Sequence, residues 1–220
     1  MKLTHLVATL TFAIAAGCSI PAIAADHGNI DKVLGSAVVG SNEHYADISL
    51  VNGSIQMASD SSAKDISVVN GSVDIRDNVS VRSISTVNGG IETGSGLKVS
   101  GELSTVNGEI QLGEQSVIDG NIESVNGDIT LKDSTTAGDI STVNGDISLN
   151  GATVVKGDVI FKQRNKRKSW FNFGSSNKPT LYIAADAVVE GQIILEQKVT
   201  LKLENPAMQA KVVERINDGR

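Results

Sequence analysis

The sequence predicts an all-β fold, a single-stranded β-solenoid (β-helix) built from coils of 18–19 residues. The first observation is a phrase of the form Val-Asn-Gly-x-apolar, which occurs six times between residues 51 and 147. The second is its spacing, since successive asparagines lie 18 or 19 residues apart. The third is that equivalent positions carry similar residues in every copy, as expected when each coil stacks on a copy of itself.

The repeated asparagines and glycines are interpreted as architectural. Successive coils of a solenoid lie about 4.8 Å apart, so stacked asparagines can form an amide ladder at a bend. Glycine at the same bend supplies a positive φ or allows close backbone approach. The residues concerned are Asn52, Gly53, Asn70, Gly71, Asn88, Gly89, Asn107, Gly108, Asn126, Gly127, Asn144 and Gly145.

Asn-Gly between alternating runs is also the strongest short signal for a β-hairpin. This alternative yields six hairpins in a meander or barrel and places Ile140 opposite Leu149. A second phrase, apolar or Thr-x-Gly-x-apolar, precedes the first by seven residues, as in Ile118–Ile122. The hairpin gives this second phrase no role, so we favour the solenoid. A variable turn such as Lys132–Ala137 would absorb the difference between 18 and 19 residues.

Period-two alternation predicts which residues of a coil share a face. From the valine of each phrase onward, we expect Val, Gly and the following apolar residues on one face, with Asn, Asp and Ser on the other. The isoleucine or leucine four residues before each asparagine is out of phase with that valine, which predicts a bend between them. The array is expected to start within residues 26–46, anchored by Ile30, Val33, Leu34, Val38 and Val39.

The N-terminal residues 1–24 have the pattern of a secretory signal peptide. Lys2 supplies a positive start, an uncharged apolar run follows, and Ala22-Ile23-Ala24 is a small-x-small cleavage signal. The alternative is a lipoprotein signal with lipid attached to Cys18. We therefore expect an exported protein of the periplasm or cell surface, or an outer-membrane lipoprotein through Cys18. The solenoid domain would then span residues 25–204, and a C-terminal cap or tail residues 205–220.

A basic-aromatic loop insertion at residues 162–179 interrupts the pattern. It holds six basic residues and no acidic residue, although the whole chain has a formal net charge of −6. Strand residues resume at Leu181-Tyr182-Ile183, which predicts a loop that projects from a continuing array. Lysine and arginine attract phosphate or carboxylate, and neighbouring aromatic residues favour a membrane interface. The predicted anion- or membrane-contact residues are Lys162, Arg164, Lys166, Arg167, Lys168, Trp170, Phe171 and Phe173.

The expected partners of this insertion are anionic lipid, lipopolysaccharide or acidic polysaccharide. Nucleic acid is disfavoured for an exported protein, although the electrostatics would permit it. Self-association between copies of the chain is a further expectation. The alternative interpretation is a solvated loop whose aromatic residues cover the side of the solenoid and whose charges balance the acidic coils.

Asn205-Pro206 predicts the start of a short C-terminal capping helix, with asparagine as N-cap and proline at the first helical position. A terminal strand is the alternative. Either element would protect the end of the stack from pairing with another chain. At helical spacing five residues would share one face, namely Met208, Lys211, Val212, Arg215 and Ile216.

The sequence shows no constellation typical of catalysis or of cofactor binding, so we expect a non-enzymatic protein without metal or cofactor. His27 and His44 lack the spacing of a metal site, and no nucleophile-elbow phrase or nearby histidine supports acyl transfer by a serine. Columns of carboxylates, such as Glu109, Asp128 and Asp146, contain Ca²⁺-type ligands. Such columns more often mark the solvated face of strands, which is the interpretation we favour.

The phrase Ile140–Ile147, Ile-Ser-Thr-Val-Asn-Gly-Asp-Ile, resembles the adhesin-type β-strand-repeat family of bacterial envelope proteins, over residues 47–160. The resemblance implies a structural or adhesin-like scaffold of the envelope or surface, and it carries over no catalytic residue. The Val-x-Gly-x-Ile phrase, as in Val189–Ile193, is more weakly similar to bactofilins, which are polymer-forming β-helices. The alternatives are therefore a self-assembling filament, or a protein that binds or processes envelope polysaccharide.

Overall fold

The computed structural model describes residues 27–163 and 178–216 of the chain. These residues form a parallel β-solenoid of about ten coils, which confirms the predicted fold. In the described residues the strands form two sheets, one of 15 strands and one of nine. No helix in these two ranges is long and apolar enough to span a membrane.

The strand register distinguishes the solenoid from the hairpins. Asn52 pairs in parallel with Asn70, 18 residues later, and the other repeated asparagines pair in the same way. Ile140 pairs with Ile122 and not with Leu149, so the hairpin alternative is wrong. The insertion interrupts a continuing array as predicted, because strands after it pair with strands before it.

Each coil has three sides, which we name arms A, B and C in chain order. Arms A and C share the 15-stranded sheet, and arm B forms the nine-stranded sheet. Arm A comprises Ile30–Leu34, Ile48–Asn52, Leu103–Asn107, Ile122–Asn126, Ile140–Asn144, Val159–Phe161, Ile193–Leu195 and Val212–Glu214. Arm B comprises Ala37–Val39, Ile55–Met57, Val73–Ile75, Ile91–Thr93, Ile110–Leu112, Ile129–Lys132, Ile147–Asn150, Thr180–Ile183 and Thr200–Leu203. Arm C comprises Lys98–Val99, Val117–Ile118, Thr135–Thr136, Val154–Val155 and Val188–Val189. Two strands of nine residues run through arms C and A together, namely Ser62–Asn70 and Ser80–Asn88.

The core is a set of columns that run along the solenoid through all three arms. In arm A the buried positions lie four and two residues before the asparagine, as at Ile48 and Leu50. The valine before each asparagine is only half-buried in the first five copies, as at Val51. The prediction that each valine shares a face with the apolar residues that follow it is therefore wrong, since Ile55 and Met57 are buried. Buried and more exposed residues alternate without interruption through arm A. The alternation is interrupted at the Asn-Gly corner, and not before the valine as predicted.

One inward column of arm A changes from aliphatic to hydroxyl-bearing residues along the stack. Thr86 stacks on Thr105, and its hydroxyl lies 2.8 Å from that of Thr105 and donates to the carbonyl of Gly89 at 2.7 Å. In the next two coils the hydroxyls of Ser124 and Thr142 are buried without a hydrogen-bond partner. This threonine-containing column is part of the core, where an unpaired hydroxyl lowers stability.

The Asn-Gly corners form the predicted amide ladder. The side chain of Asn70 donates to Asn52 at 3.0 Å, and four further asparagines continue the ladder at 2.7–2.9 Å. The glycines stack as closely as the asparagines. The Gly127 amide donates to the next coil at 3.1 Å, and a Cβ on Gly127 would overlap the carbonyl oxygen of Gly108. Only glycine fits where one backbone crosses another at this distance.

The second glycine phrase forms the corner between arms C and A. Up to Ser80–Asn88 the two arms are one continuous strand, but Leu103 pairs with Ile84 and Val99 with Val81, so three residues oppose two. This extra residue is a β-bulge, and it splits the strand in every later coil. At Gly101 a Cβ would lie 2.8 Å from the carbonyl oxygen of Arg82. The variable coil length thus arises at this corner as well as in the predicted turn.

The first coil departs from the prediction. Val39 is fully buried, but Val33, Leu34 and Val38 are 68%, 77% and 68% exposed and do not anchor it. They occupy positions that face outward or lie at the corner in later coils, because the register aligns Leu34 with Asn52.

The C-terminal end carries both of the predicted elements in succession. A 3₁₀ helix spans Pro206–Lys211, with the side chain of Asn205 as its N-cap and Met208 buried beneath it. A strand, Val212–Glu214, follows and pairs with arm A of the previous coil. The predicted helical face that includes Val212, Arg215 and Ile216 is therefore wrong, because the helix ends at Lys211.

We expect Gly127→Ala to destabilise the protein by at least about 2 kcal/mol, because a Cβ there overlaps the neighbouring backbone. Urea unfolding measures the change. Gly28→Ala is the matched control, since a Cβ at Gly28 meets nothing within 4 Å. Equal stability of the two variants would show that the corners tolerate side chains.

We expect Thr142→Val to stabilise the protein by about 1 kcal/mol, because it removes a buried hydroxyl that lacks a partner. Thr86→Val should instead destabilise it by a similar amount, because the Thr86 hydroxyl is hydrogen-bonded. The two variants make the same chemical change in one column. Thermal unfolding of both, compared with the parent protein, tests the opposite signs.

Candidate functional site

The insertion leaves the solenoid at an Asn-Gly corner. Phe161 pairs with Thr142, and Leu181 pairs with Ile147 in the following arm. Residues 162–180 therefore occupy the place of the four residues between Thr142 and Ile147 in the preceding coil. Because both flanking strands keep their register, the insertion is attached to a continuous sheet at both of its ends.

Lys162 fixes the start of the insertion to two earlier coils. Its backbone amide donates to the carbonyl of Thr142 at 2.8 Å and continues the ladder of arm A. Its ammonium lies 3.5 Å from the carboxylate of Glu123, two coils away. Both side chains are partly accessible, so the ion pair contributes at most about 1 kcal/mol and mainly orients the lysine.

Two residues of the following coil, Glu196 and Gln197, form hydrogen bonds with backbone groups at the start of the insertion. The carboxylate of Glu196 accepts the backbone amide of Gln163 at 3.0 Å. The side-chain amide of Gln197 donates to the carbonyl of Val143 at 2.6 Å and to that of Lys162 at 3.1 Å. These contacts satisfy backbone groups that the insertion removes from the regular ladder.

The outer face of arm A is buried near this base. Ser141, Val143 and Ile194 occupy outward positions, yet only 2%, 4% and 6% of their surfaces are exposed. Equivalent valines in earlier coils are half-buried. The outer face of arm A at the base of the insertion is therefore packed, unlike the same face in earlier coils.

Among the predicted contact residues, Lys162 lies in the described part of the chain. The other seven, Arg164, Lys166, Arg167, Lys168, Trp170, Phe171 and Phe173, lie outside the described residues, as do residues 1–24 and Cys18. Glu123, Glu196 and Gln197 were not predicted. Glu123 carries a sequence signal, since it replaces serine in a column that otherwise reads Ser104 and Ser141.

The carboxylate columns have a structural use in this fold. Asp128 accepts the backbone amide of Asp146 at 2.8 Å, and Asp146 accepts that of Thr180 at 2.7 Å. Asp139 and Asp158 do the same at the corner between arms C and A. In the described residues, no group of three or more His, Cys, Asp or Glu side chains is arranged to hold a metal ion.

The two described histidines have partners in the first coils. The His27 ring stacks on Tyr45 with centroids 4.9 Å apart. The Nδ1 atom of His44 lies 2.8 Å from the hydroxyl of Ser62, so a histidine does lie beside a serine, contrary to expectation. This pair also joins two coils, because His44 and Ser62 form a parallel bridge.

An open groove of about 440 Å³ lies where the β-bulge begins. Asp65, Arg82, Ser83 and Glu102 contribute its charged and hydroxyl groups. Arg82 forms an ion pair with Asp65, which also accepts the Ser83 hydroxyl at 2.6 Å. The charges of the groove are therefore largely paired with each other, which makes it a weaker candidate than the insertion.

Comparison with known proteins leaves the resemblance untested. No family model, no curated protein and no solved structure matches the chain. The likenesses to adhesin-type repeats and to bactofilins therefore stay predictions from the repeat phrases.

We expect Gln197→Ala to destabilise the protein by about 1–2 kcal/mol, because two carbonyls at the base of the insertion lose their donor. Gln111→Ala, at an exposed outward position of arm B, should change stability by less than about 0.5 kcal/mol. Urea unfolding compares the two. A Gln197 variant as stable as the Gln111 variant would show that solvent replaces these contacts.

Proposed function

We propose that this protein is a non-enzymatic, exported scaffold of the bacterial envelope or surface, which contacts anionic groups through its basic insertion. The observation that carries the proposal is the break in the array at the Phe161 corner. The described Asn-Gly corners share one structure, the stacked asparagines and glycines, whereas the equivalent corner after Phe161 contains the insertion. A rigid stack that presents one distinct segment is suited to holding a contact surface in place.

Charge supports an anionic partner. The insertion, residues 162–179, carries six basic residues in a chain of net charge −6. Among the basic residues of this segment that the structure describes, Lys162 forms an ion pair with Glu123. The side chains of a basic segment attract phosphate and carboxylate groups, and its neighbouring aromatic residues favour the interface of a membrane.

Anionic lipid is the partner we place first, with lipopolysaccharide and acidic polysaccharide as other sources of the same charges. An adhesin-like role rests on the resemblance of the repeat phrase alone. Export rests on the signal-like residues 1–24, with lipid attachment at Cys18 as the alternative. The mass of the purified chain distinguishes cleavage after Ala24 from a lipidated Cys18.

We expect the triple variant Lys166→Ser, Arg167→Ser and Lys168→Ser to lose about 100-fold in partitioning onto anionic vesicles. Each basic residue near an anionic surface contributes about 1 kcal/mol, and three contribute about 3 kcal/mol. Co-sedimentation with phosphatidylglycerol and phosphatidylcholine vesicles measures the partitioning. Binding of the parent protein should require the anionic lipid and weaken with salt.

The matched control removes three exposed basic residues elsewhere on the solenoid: Lys64→Ser, Arg76→Ser and Lys98→Ser. It changes the net charge equally and should retain most of the binding. Equal losses in both triple variants would mean that net charge, and not the insertion, governs binding. Retention of the insertion variant on anionic vesicles would refute anion contact through this segment.

A further inference from the structure

The inward columns of arm A can be followed to both ends of the solenoid. In the column that contains Leu50, the first residue is Lys32, which pairs with Leu50 in the parallel register. The last is Glu214, which pairs with Leu195. Both are exposed. A column of core residues therefore begins with a positive charge at one end and finishes with a negative charge at the other.

The neighbouring columns are apolar at both ends. Ile30 begins the column that Val212 ends, and both are partly buried and packed against the core. Leu34, two residues after Lys32, begins the next column and is 77% exposed. When the register is continued to the last coil, Ile216, two residues after Glu214, ends that same column. Leucine thus stands in the first coil at an exposed corner position that asparagine holds in six later coils.

Both terminal strands of arm A have an open edge. In the described residues Ile30–Leu34 pairs with Ile48–Asn52 alone, and Val212–Glu214 pairs with Ile193–Leu195 alone. An open strand edge presents unpaired amides and carbonyls to another chain. The 3₁₀ helix Pro206–Lys211 contacts arms B and C, so it leaves the edge of arm A accessible.

We infer that a second copy of this chain docks head to tail, with its Ile30–Leu34 strand added in parallel beside Val212–Glu214. This register continues every column of arm A across the junction. Ile30 meets Val212, Lys32 meets Glu214, and Leu34 meets Ile216. Because the two surfaces differ, the contact is heterologous and repeats, so it builds linear oligomers.

The charges select this arrangement over symmetric ones. Two N-terminal strands paired antiparallel in full overlap would place Lys32 opposite Lys32. The C-terminal strands paired antiparallel and centred on Glu214 would oppose two carboxylates. Like charges directly opposite one another destabilise strand pairs, and opposite charges stabilise them. The contact is independent of the proposed anion contact, since it uses neither Lys162 nor any other residue of the insertion.

The test uses the full chain as the producing cell processes it, with its mass recorded. Sedimentation velocity from about 1 μM to about 1 mM in low salt should show a mass that grows with concentration beyond a dimer. Lys32→Glu and Glu214→Lys should each weaken association by at least about tenfold. Lys98→Glu, on the side of the solenoid, should leave it unchanged.

Reversal of both charges provides the decisive comparison. The double variant Lys32→Glu/Glu214→Lys should associate as the parent does, and so should an equimolar mixture of the two single variants. In a symmetric N-terminal contact, which sets position 32 against itself, like charges would meet in the parent, in Lys32→Glu and in the double variant, and only the mixture would associate more tightly than the parent. A parent protein that stays monomeric throughout, a double variant as weak as the single ones, or an equal loss in Lys98→Glu would each overturn the inference.

Discussion

The structure depends on the parallel hydrogen-bonded ladder between one coil and the next. Each coil is too thin to bury its own apolar side chains, and it becomes stable only between two neighbours of the same shape. The ladder therefore demands that equivalent positions carry residues that stack on themselves. Isoleucine on isoleucine fills the core, asparagine on asparagine pairs amides, and glycine on glycine allows backbones to cross closely.

The polar residues at the corners follow this requirement. The amide of Asn70 and the carboxylate of Asp128 both form hydrogen bonds with the equivalent residue of an adjacent coil. Side chains that would suggest ligand binding in an isolated loop are therefore used to hold the stack together. The side chains that we propose to contact partners lie where this stacking is interrupted. These places are the corner after Phe161 and the two terminal coils, each of which has a neighbouring coil on one side only.

Electrostatics follows the same division. Along the sides of the solenoid some charges are paired locally, as in Arg82 with Asp65 and Lys132 with Glu114 at 2.7 Å. The hydrogen bond to Glu114 raises the pKa of the Lys132 ammonium, but both groups are exposed and their pairing contributes little stability. The basic insertion concentrates positive charge at one corner. The terminal charges of Lys32 and Glu214 are separated by the whole length of the core column.

The period of the Val-Asn-Gly phrase determined the coil length, the like-on-like register, the amide ladder and the point at which the insertion departs, because stacking leaves a direct trace in spacing. It did not determine which side of arm A is inside. Alternation fixes which residues share a face only within one strand, and the shift of phase at the Asn-Gly corner decides that Leu50, and not Val51, is buried with Ile55. The pairing of Glu123 with Lys162 and the alignment of Lys32 with Glu214 also required the tertiary structure. These residues lie outside the repeated phrase, and only the register of the stacked strands brings them into common columns.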